Sequence, residues 1–294
     1  MSAPTARARA EALYHRTSAR ICHDVLAGYS TSFGLGTRVL PPGQRRDIEA
    51  VYALVRIADE VVDTRGGADA GDALDELEGQ LARAMESGWS TNPVVHAFAR
   101  TARRVGIDHD LTEPFFASMR ADLTVRVHDE ESYRRYIYGS AEVVGLMCLA
   151  VFLNADRRPG DPARRADPDT VEGARALGAA FQKVNFLRDL AADTALGRQY
   201  FPGVGPQGPD DRQYAEILAD IGADVARARL SLPALPPRPR TAVAVTLGLY
   251  DRLLSQLAGL PPERVMAERV RVSNPRKLLV LGRTVADQLR GGVR

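Results

Sequence analysis

The fold of this chain is indicated most clearly by residues 52–63, Tyr52-Ala-Leu-Val-Arg56-Ile-Ala-Asp59-Glu60-Val-Val-Asp63. Its residues Tyr52, Arg56, Asp59 and Asp63 recur at intervals of four, three and four, a spacing that places them along one face of an α-helix. The positions between them are largely apolar, so this polar stripe does not fit a solvated outer face. We expect it to line a polar cavity inside a bundle of helices.

A second stretch, about 130 residues further along, repeats this layout. Gln182, Asn185, Asp189 and Asp193 are spaced by three, four and four residues, and their neighbours are again apolar. Two carboxylates one turn apart on each of two buried helices are energetically costly. Each unpaired ion loses on the order of 5 kcal/mol of hydration free energy when it is buried. The sequence therefore predicts that cations neutralise both pairs.

Two kinds of cation could fill this role. Arg56 and Arg188 could form ordinary salt bridges with the acidic pairs on helix surfaces, which is the simpler interpretation for either pair alone. The recurrence of both pairs, with Asn and Gln in matched positions, favours a metal site instead. A set of oxygen ligands without His or Cys selects a hard cation, Mg²⁺ before Zn²⁺ or copper.

Composition excludes several other classes of protein. The 294 residues are 45 % hydrophobic and 26 % charged, which is typical of a globular chain, and a net charge of +2 does not favour a nucleic-acid binder. Cys22 and Cys148 have no zinc-ligand spacing and fit reduced, buried thiols. The longest uncharged apolar run, Val143 to Leu153, is about half of the ~20 residues that a membrane helix needs. We therefore expect a cytoplasmic protein with at most peripheral contact with the inner face of a membrane, and no export signal.

Most of the chain has helical periodicity, and clusters of Pro and Gly divide it into about eight to ten helical segments. The best candidates for connecting loops are residues 156–168 and 201–211. Neither shifts the composition enough to mark a domain boundary. The sequence predicts one all-α domain over residues 1–294, with residues 1–17 as a loose N-terminal arm.

Both acidic stretches, and the segments around them, resemble the squalene/phytoene synthase family. The first family signature is matched by Tyr29-Ser-Thr-Ser-Phe33, Leu40-Pro41-Pro42 and Tyr52-x3-Arg56-x2-Asp59-x3-Asp63, and the second by FQKVNFLRDLAADTALGRQYFP. Between them, Met119-Arg-Ala-Asp122 and Tyr136-Ile-Tyr138-Gly-Ser-Ala-x-Val-Val-Gly145 match the middle region of the family. The resemblance extends from about residue 18 to residue 280, in the order and spacing of the family.

This resemblance implies an all-α isoprenoid synthase fold with a central cavity between the two acidic helices. It also implies Mg²⁺-dependent head-to-head condensation of two allylic isoprenyl diphosphates through a cyclopropyl diphosphate intermediate. By the same resemblance, Gln182 would lie beside the reacting carbons. The implied ligands of Mg²⁺, or of Mn²⁺ in its place, are Asp59, Asp63, Asn185, Asp189 and Asp193.

The resemblance also assigns residues that would hold the substrates. Tyr52 and Tyr138 would contact diphosphate or the cyclopropyl intermediate, and their rings could stabilise a cation. The implied partners are isoprenyl diphosphates; no nucleic-acid partner is expected, and the oligomeric state is left open. The residues implied to bind diphosphate are Ser30, Ser32, Arg56, Arg188, Tyr250, Arg269 and Lys277.

Three residues depart from the family pattern. Glu60 replaces the usual second Asp of the first motif, but the two outer aspartates are present. Lys183 falls one step off the Gln182–Asn185 face, and we interpret it as a charge on the flank of the helix. Glu142 replaces a common Gly; a structural role is the simpler interpretation, and contact with the cavity is the alternative.

Within the family, the wording of the motifs favours condensation of two geranylgeranyl diphosphates to phytoene, without NADPH. The alternatives are a squalene or dehydrosqualene synthase that uses farnesyl diphosphate, and a cyclase that uses a single diphosphate. A different class, an inactive homologue that acts as an assembly partner, should lose the carboxylates first. All four are present, which disfavours that class.

Overall fold

The computed structural model describes residues 5–65, 68–158 and 160–267, and these residues form a bundle of helices without a β-strand. The predicted all-α class is confirmed. The described residues form twelve α-helices, more than the eight to ten expected, because prolines and glycines divide several segments again. They are α1 (Ala6–Tyr29), α2 (Thr31–Thr37), α3 (Pro42–Glu60), α4 (Ala68–Ser87), α5 (Pro93–Val105), α6 (His109–Thr124), α7 (Glu130–Ile137), α8 (Val143–Asn154), α9 (Pro168–Ala195), α10 (Asp211–Ser231), α11 (Pro237–Ala258) and α12 (Pro262–Ala267).

Two helices change pitch at the predicted motifs. α3 widens into a π-helical turn at Val61–Arg65, and α7 passes into α8 through a second π-helical turn at Tyr138–Glu142. Such widened turns are rare in proteins, and those that do occur frequently lie at functional sites. Asp59 therefore lies in α3 and Asp63 on the π-turn, so the four-residue spacing does not put them on one regular α-helical face. The second motif lies entirely within α9, as predicted.

The first helix corrects one expectation from the sequence. α1 begins at Ala6, capped by the Thr5 side chain, so residues 6–17 are helical and not a loose arm. Tyr14 fixes this half of the helix, because its hydroxyl donates to the carbonyl oxygens of Ser90 at 2.9 Å and Thr91 at 3.0 Å. The apolar side of α1 packs against α3 and α5.

Two apolar clusters hold the bundle together, and the predicted site lies between them. In the first, α3 packs against α1, α5, α6 and α8; in the second, α9 packs against α10, α11 and the loop that follows α9. The second π-turn and α8 bring the clusters together by packing directly on α9. Glycine is required there, because a Cβ on Gly145 or Gly178 would lie 2.3 Å from the carbonyl oxygen of Ala174 or Ala141.

One continuous helical stretch, Glu130–Asn154, is long and apolar enough to cross a membrane by length and composition alone, with a mean hydropathy of 1.8 in its most apolar window. Half of that window is buried inside the protein. The stretch includes α8, which packs on α3, α6 and α9. Its apolar character is therefore explained by its place in the core.

Lys183 is not the helix-flank charge that the sequence suggested. The residue is 8 % exposed, and its ammonium group donates to Asp220 at 2.5 Å and to Asp224 at 2.7 Å. Both carboxylates belong to α10, so the group ties α9 to α10 through a largely buried ion cluster. A spacing on one helix could not reveal partners that the fold brings from 37 and 41 residues away.

We predict that Lys183→Met lowers the free energy of unfolding by about 3 kcal/mol, because it leaves the buried Asp224 carboxylate with only the exposed Arg227 guanidinium, at 3.2 Å, as a cationic partner. The matched control is Arg212→Met, which removes an exposed ion pair with Glu216 and should change stability by about 0.5 kcal/mol. Urea unfolding of both variants measures the difference. Equal losses in the two variants would show that the Lys183 cluster is not a buried constraint.

Candidate active site

Three of the four carboxylates of the two acidic motifs line one polar cleft. Asp63 from the π-turn after α3 and Asp189 and Asp193 from α9 line a cleft of about 540 Å³. Arg126 and Arg198 line the same cleft. The two motifs, separated by more than 120 residues, thus line one cleft, as the family resemblance implied.

Electrostatic repulsion crosses this cleft. Burial and the neighbouring Asp63 raise the pKa of Asp59 to about 6. Burial and Asp189, with a smaller contribution from Asp63 on the opposite side, raise the pKa of Asp193 to about 6. Because an ionised carboxylate is disfavoured beside another one, the site has an unmet demand for positive charge.

Arginines satisfy part of this demand. Arg56 donates to the Asp59 carboxylate at 2.5 Å, and Arg188 Nε donates to Asp189 at 3.0 Å. Arg198 lies 3.3 Å from Asp63 and also lowers the pKa of Asp193, so it connects the two motifs. Each arginine keeps N–H groups that could bind further oxygen atoms.

A buried carboxyl group beside the cleft was missed by the sequence analysis. Asp122 of α6 is 7 % exposed, lines the cleft and accepts hydrogen bonds from the hydroxyls of Tyr136 at 2.6 Å and Tyr200 at 3.1 Å. Burial raises the pKa of Asp122 to about 7, although both hydroxyls oppose that change. The ring of His128 stacks on Tyr200 at 5.6 Å and encloses the group further.

The loop after α9 carries Arg198 and Tyr200 back to the site. Gln199 holds this loop in place: its N–H donates to the Arg126 carbonyl at 2.7 Å, and its carbonyl accepts from the His128 N–H at 3.0 Å. The stretches that resemble the family contained Asp122, Tyr136, Arg198 and Tyr200, but neither Arg126 nor His128. The local sequence around Asp122 could not reveal its hydroxyl partners, because Tyr136 and Tyr200 lie 14 and 78 residues away.

An apolar cavity adjoins the carboxylates along the same two helices. Tyr52, one turn before Arg56, and Gln182, one turn before Asn185, line the end of a cavity of about 250 Å³. Along α9 the lining extends from Gln182 back to Thr170, about 18 Å at the rise of an α-helix. Elsewhere the wall is mainly aliphatic and aromatic, and includes Phe33, Leu40, Ile48, Val144, Leu149, Phe152, Leu177 and Phe181.

The other predicted residues have varied surroundings. Ser30 caps α2 by accepting from the Phe33 N–H at 3.2 Å. Tyr250 is partly buried beside the second motif, where it stacks on Phe181 at 3.8 Å and burial raises its pKa. Tyr138 lines neither the cleft nor the cavity, and the guanidinium of Arg175 lies 5.5 Å from its ring centroid.

Four predicted residues remain: Glu142, Ser32, Arg269 and Lys277. Glu142 accepts a hydrogen bond from the Arg175 Nε at 2.6 Å, the structural role that was expected for it. Ser32 belongs to α2, but its side chain lies outside what the structure describes. Arg269 and Lys277 also lie outside the described residues.

The donor atoms of the cleft fit a magnesium site. The Oδ1 atom of Asn185, a predicted ligand, is buried and has no hydrogen-bond partner among the described residues. Within those residues, no three His, Cys, Asp or Glu side chains converge closely enough to enclose a metal ion by themselves. Mg²⁺ commonly takes only one or two carboxylates and completes its shell with water and phosphate oxygens, so the more open arrangement suits it.

Comparisons with known proteins agree with the fold and the motifs. The sequence profile named Squalene/phytoene synthase matches residues 26–204. A 15-cis-phytoene synthase of Synechocystis sp. is 34 % identical over 286 residues, which cover 89 % of this chain and 82 % of the relative. A phytoene synthase of Arthrospira platensis is 34 % identical over 262 residues, covering 82 % and 84 %.

A solved structure shares the architecture. The crystal structure of a dehydrosqualene synthase in complex with ligand superposes with a TM-score of 0.78 at 22 % identity, covering 92 % of this chain and 96 % of that one. With the profile match, these findings show that the chain belongs to the squalene/phytoene synthase family. It is an enzyme of the prenyltransferase type.

We predict that Asp59→Asn stabilises the metal-free protein at pH 8 by about 1 kcal/mol, a value reduced because the side chain is 39 % exposed. The expected rise in melting temperature in EDTA is about 2 °C. Because the pKa of Asp59 is raised to about 6, its ionised form opposes folding above that pH, and the gain should disappear at pH 4, where the carboxyl is protonated.

The matched control is Glu131→Gln, which removes an exposed carboxylate from α7 and should leave the melting temperature unchanged at both pH values. A destabilised Asp59→Asn variant at pH 8, or a gain of equal size at pH 4, would contradict the assigned repulsion.

Proposed function

We propose that the protein condenses two geranylgeranyl diphosphates head to head, through a cyclopropyl diphosphate intermediate, to phytoene. The observation that carries this proposal is the junction at Tyr52 and Gln182, where an apolar cavity adjoins a cleft with carboxylates on both sides. An amphiphile with a hydrocarbon chain and a diphosphate head would place one part in each compartment. The phytoene synthase names of the relatives support the same substrate class.

We propose that Asp59 and Asp63 on one side of the cleft, and Asn185, Asp189 and Asp193 on the other, hold Mg²⁺ together with the diphosphate groups. Mn²⁺ would serve in its place. When bound, the divalent cation supplies Lewis acidity that stabilises charge on the leaving diphosphate oxygens. The buried, unpaired Asn185 Oδ1 and the raised pKa values of Asp59 and Asp193 support this assignment.

The arginines would act on the same leaving groups. Arg56 and Arg188 each hold an aspartate of their own motif, and Arg198 lies between the motifs. Fixed cations placed where negative charge develops lower the barrier to ionisation, because they need no reorganisation at the moment of reaction. We expect these three residues to bind diphosphate oxygens once divalent cations occupy the carboxylates.

The apolar cavity would protect and orient the hydrocarbon chains. Allylic cations react with water, so the reacting carbons must lie in a dry space. Holding two chains with their first carbons in contact also removes much of the entropic barrier of a bimolecular step. The Tyr52 ring, which stacks on Phe33 at 5.5 Å, borders this space and could stabilise a cation through its face.

The overall reaction balances without a redox partner. Two C₂₀ diphosphates release two diphosphates and two protons, the first proton when the cyclopropane ring closes and the second when the final cation becomes an alkene. We propose that the Asp122 carboxylate, hydrogen-bonded to the hydroxyls of Tyr136 and Tyr200, accepts the second of these protons. These three groups are already linked by hydrogen bonds at the wall of the cleft.

The alternative of a squalene-type product requires hydride from NADPH, and therefore additional cations for an anionic cofactor. In this proposal the arginines of the cleft are already committed to two diphosphates. The dehydrosqualene synthase structure shares the fold alone, so farnesyl diphosphate is tested as a second substrate.

We predict that geranylgeranyl diphosphate and Mg²⁺ suffice for product formation, and that the product shows the ultraviolet absorbance of a conjugated triene. Incubation with each diphosphate, with and without NADPH, followed by chromatography and mass spectrometry, identifies the hydrocarbon. Excess EDTA should abolish turnover. A hydrocarbon that forms only with NADPH and lacks the triene band would make the enzyme squalene-type, and turnover in EDTA after dialysis would contradict the metal assignment.

We predict that Asp189→Asn lowers kcat by about 100-fold or more, because it keeps the side-chain shape and removes a charge needed at the leaving group. Its melting temperature should stay within a few degrees of the parent protein. The matched control is Asp161→Asn in the exposed loop before α9, which should keep normal turnover. Near-normal kcat in Asp189→Asn would remove this residue from the proposed metal site.

A further inference from the structure

A groove on another side of α3 carries an unusual concentration of positive charge. It is lined by parts of α1, α3 and α5 and by the loop after α8, and encloses about 1210 Å³. Nine arginines and two carboxylates line it, a formal charge of +7 on a chain whose total is +2. The remainder of the chain is therefore net acidic, and the groove is a local feature of the surface.

Backbone carbonyl groups hold several of these arginines in place. Arg103 donates to the Met85 carbonyl at 2.7 Å, and Arg157 donates to the Arg104 carbonyl at 2.7 Å. The ends of α4 and α5 thus fix the side chains without neutralising them. Burial and the nearby Arg104 lower the pKa of Arg100, which shows that the cations crowd one another.

Other arginines of the groove have no counter-charge. Arg16 and Arg20 on α1 and Arg46 on α3 are exposed, and within the described residues they form neither a salt bridge nor a hydrogen bond through their side chains. Like charges gathered in this way repel one another, and an anionic partner would relieve the repulsion. The fork of each guanidinium matches the oxygen atoms of a phosphate group.

The rim of the groove is apolar at two exposed positions. Leu13, which is 58 % exposed, shares a helix face with Arg16 and Arg20 at spacings of three and seven residues. Trp89 is 52 % exposed and follows Gly88 of the groove wall, and its ring centroid lies 5.9 Å from that of Tyr14. Exposed tryptophan beside clustered cations is typical of surfaces that enter the headgroup region of a bilayer.

We propose that this arginine groove, with Leu13 and Trp89 at its rim, docks the protein on the anionic phospholipid headgroups of a bilayer. Arginines contribute attraction to an anionic leaflet, and the two apolar side chains enter the interface. A soluble phosphate compound would use the charges but would leave the apolar rim in water. The rim is therefore the observation that favours a lipid surface.

The position of the groove gives this docking a consequence for the cavity. At the start of α3, Leu40 lines the cavity and Gly43 lines the groove. At the end of α8, Phe152 lines the cavity and Ala155 lines the groove. The groove thus lies beside the end of the apolar cavity that is remote from the carboxylates. Docking would place the hydrocarbon end of the proposed substrate site near the membrane, with the acidic cleft further along α3.

Sedimentation with vesicles tests the proposal on the full chain. The protein should bind vesicles containing phosphatidylglycerol and remain in solution with pure phosphatidylcholine. The triple variant Arg16→Gln, Arg20→Gln, Arg46→Gln should bind the anionic vesicles roughly 100-fold more weakly. The control triple variant Arg212→Gln, Arg238→Gln, Arg252→Gln removes the same charge from exposed sites outside the groove and should bind normally. Thermal unfolding of both variants verifies that they are folded.

Trp89 supplies an independent readout, because it is the single tryptophan of the sequence. Its fluorescence should shift to shorter wavelength with anionic vesicles and be quenched by brominated acyl chains. Equal loss of binding in the control triple variant, binding to both lipids alike, or no change at Trp89 would overturn the proposal. So would displacement of the protein by millimolar glycerol phosphate beyond that caused by NaCl of equal ionic strength, which would identify a soluble-phosphate site.

Discussion

Burial of paired carboxylates, and repulsion within each pair at one shared cleft, set the conditions that the other parts of this structure meet. Asp59 and Asp63 on one side and Asp189 and Asp193 on the other are close enough that burial and mutual repulsion raise the pKa of one member of each pair to about 6. The fold must hold these groups in place against that repulsion. It does so with long helices, an apolar cluster around each of them and arginines that neutralise only part of the charge.

The apolar cavity lies next to the carboxylates because the same two helices line both. Both helices that end at the cleft are apolar one to three turns earlier, so the cavity and the carboxylates share a common wall. α8 packs on both α3 and α9, and close contacts at Gly145 and Gly178 hold α8 and the second π-turn against α9. Membership of the squalene/phytoene synthase family rests on the profile match and the relatives, whereas the proposed condensation rests on this junction between an apolar and a polar compartment.

The sequence predicted the parts of the site that depend on local spacing. The helical class and the placement of the second motif within α9 follow from periodicity, whereas the polar cavity expected beside Tyr52 is an apolar one where Tyr52 and Gln182 line it. What depends on distant partners could not be read in this way. The ion cluster of Lys183 needs α10, and the Asp122 group needs tyrosines from α7 and from the loop after α9. The π-turn at Asp63 was also hidden, because its apolar spacing resembles that of an α-helix.

We propose that the opposed carboxylates form one divalent-cation site, and that a phosphate-bearing ligand completes the coordination of the cation. Electron paramagnetic resonance of Mn²⁺ tests it directly, since the six-line signal of the free ion decreases on binding. Metal-free protein should bind Mn²⁺ weakly alone and much more tightly with inorganic diphosphate, and either Asp63→Asn or Asp193→Asn should remove the difference. Equal Mn²⁺ binding with and without diphosphate, unchanged in both variants, would contradict the account.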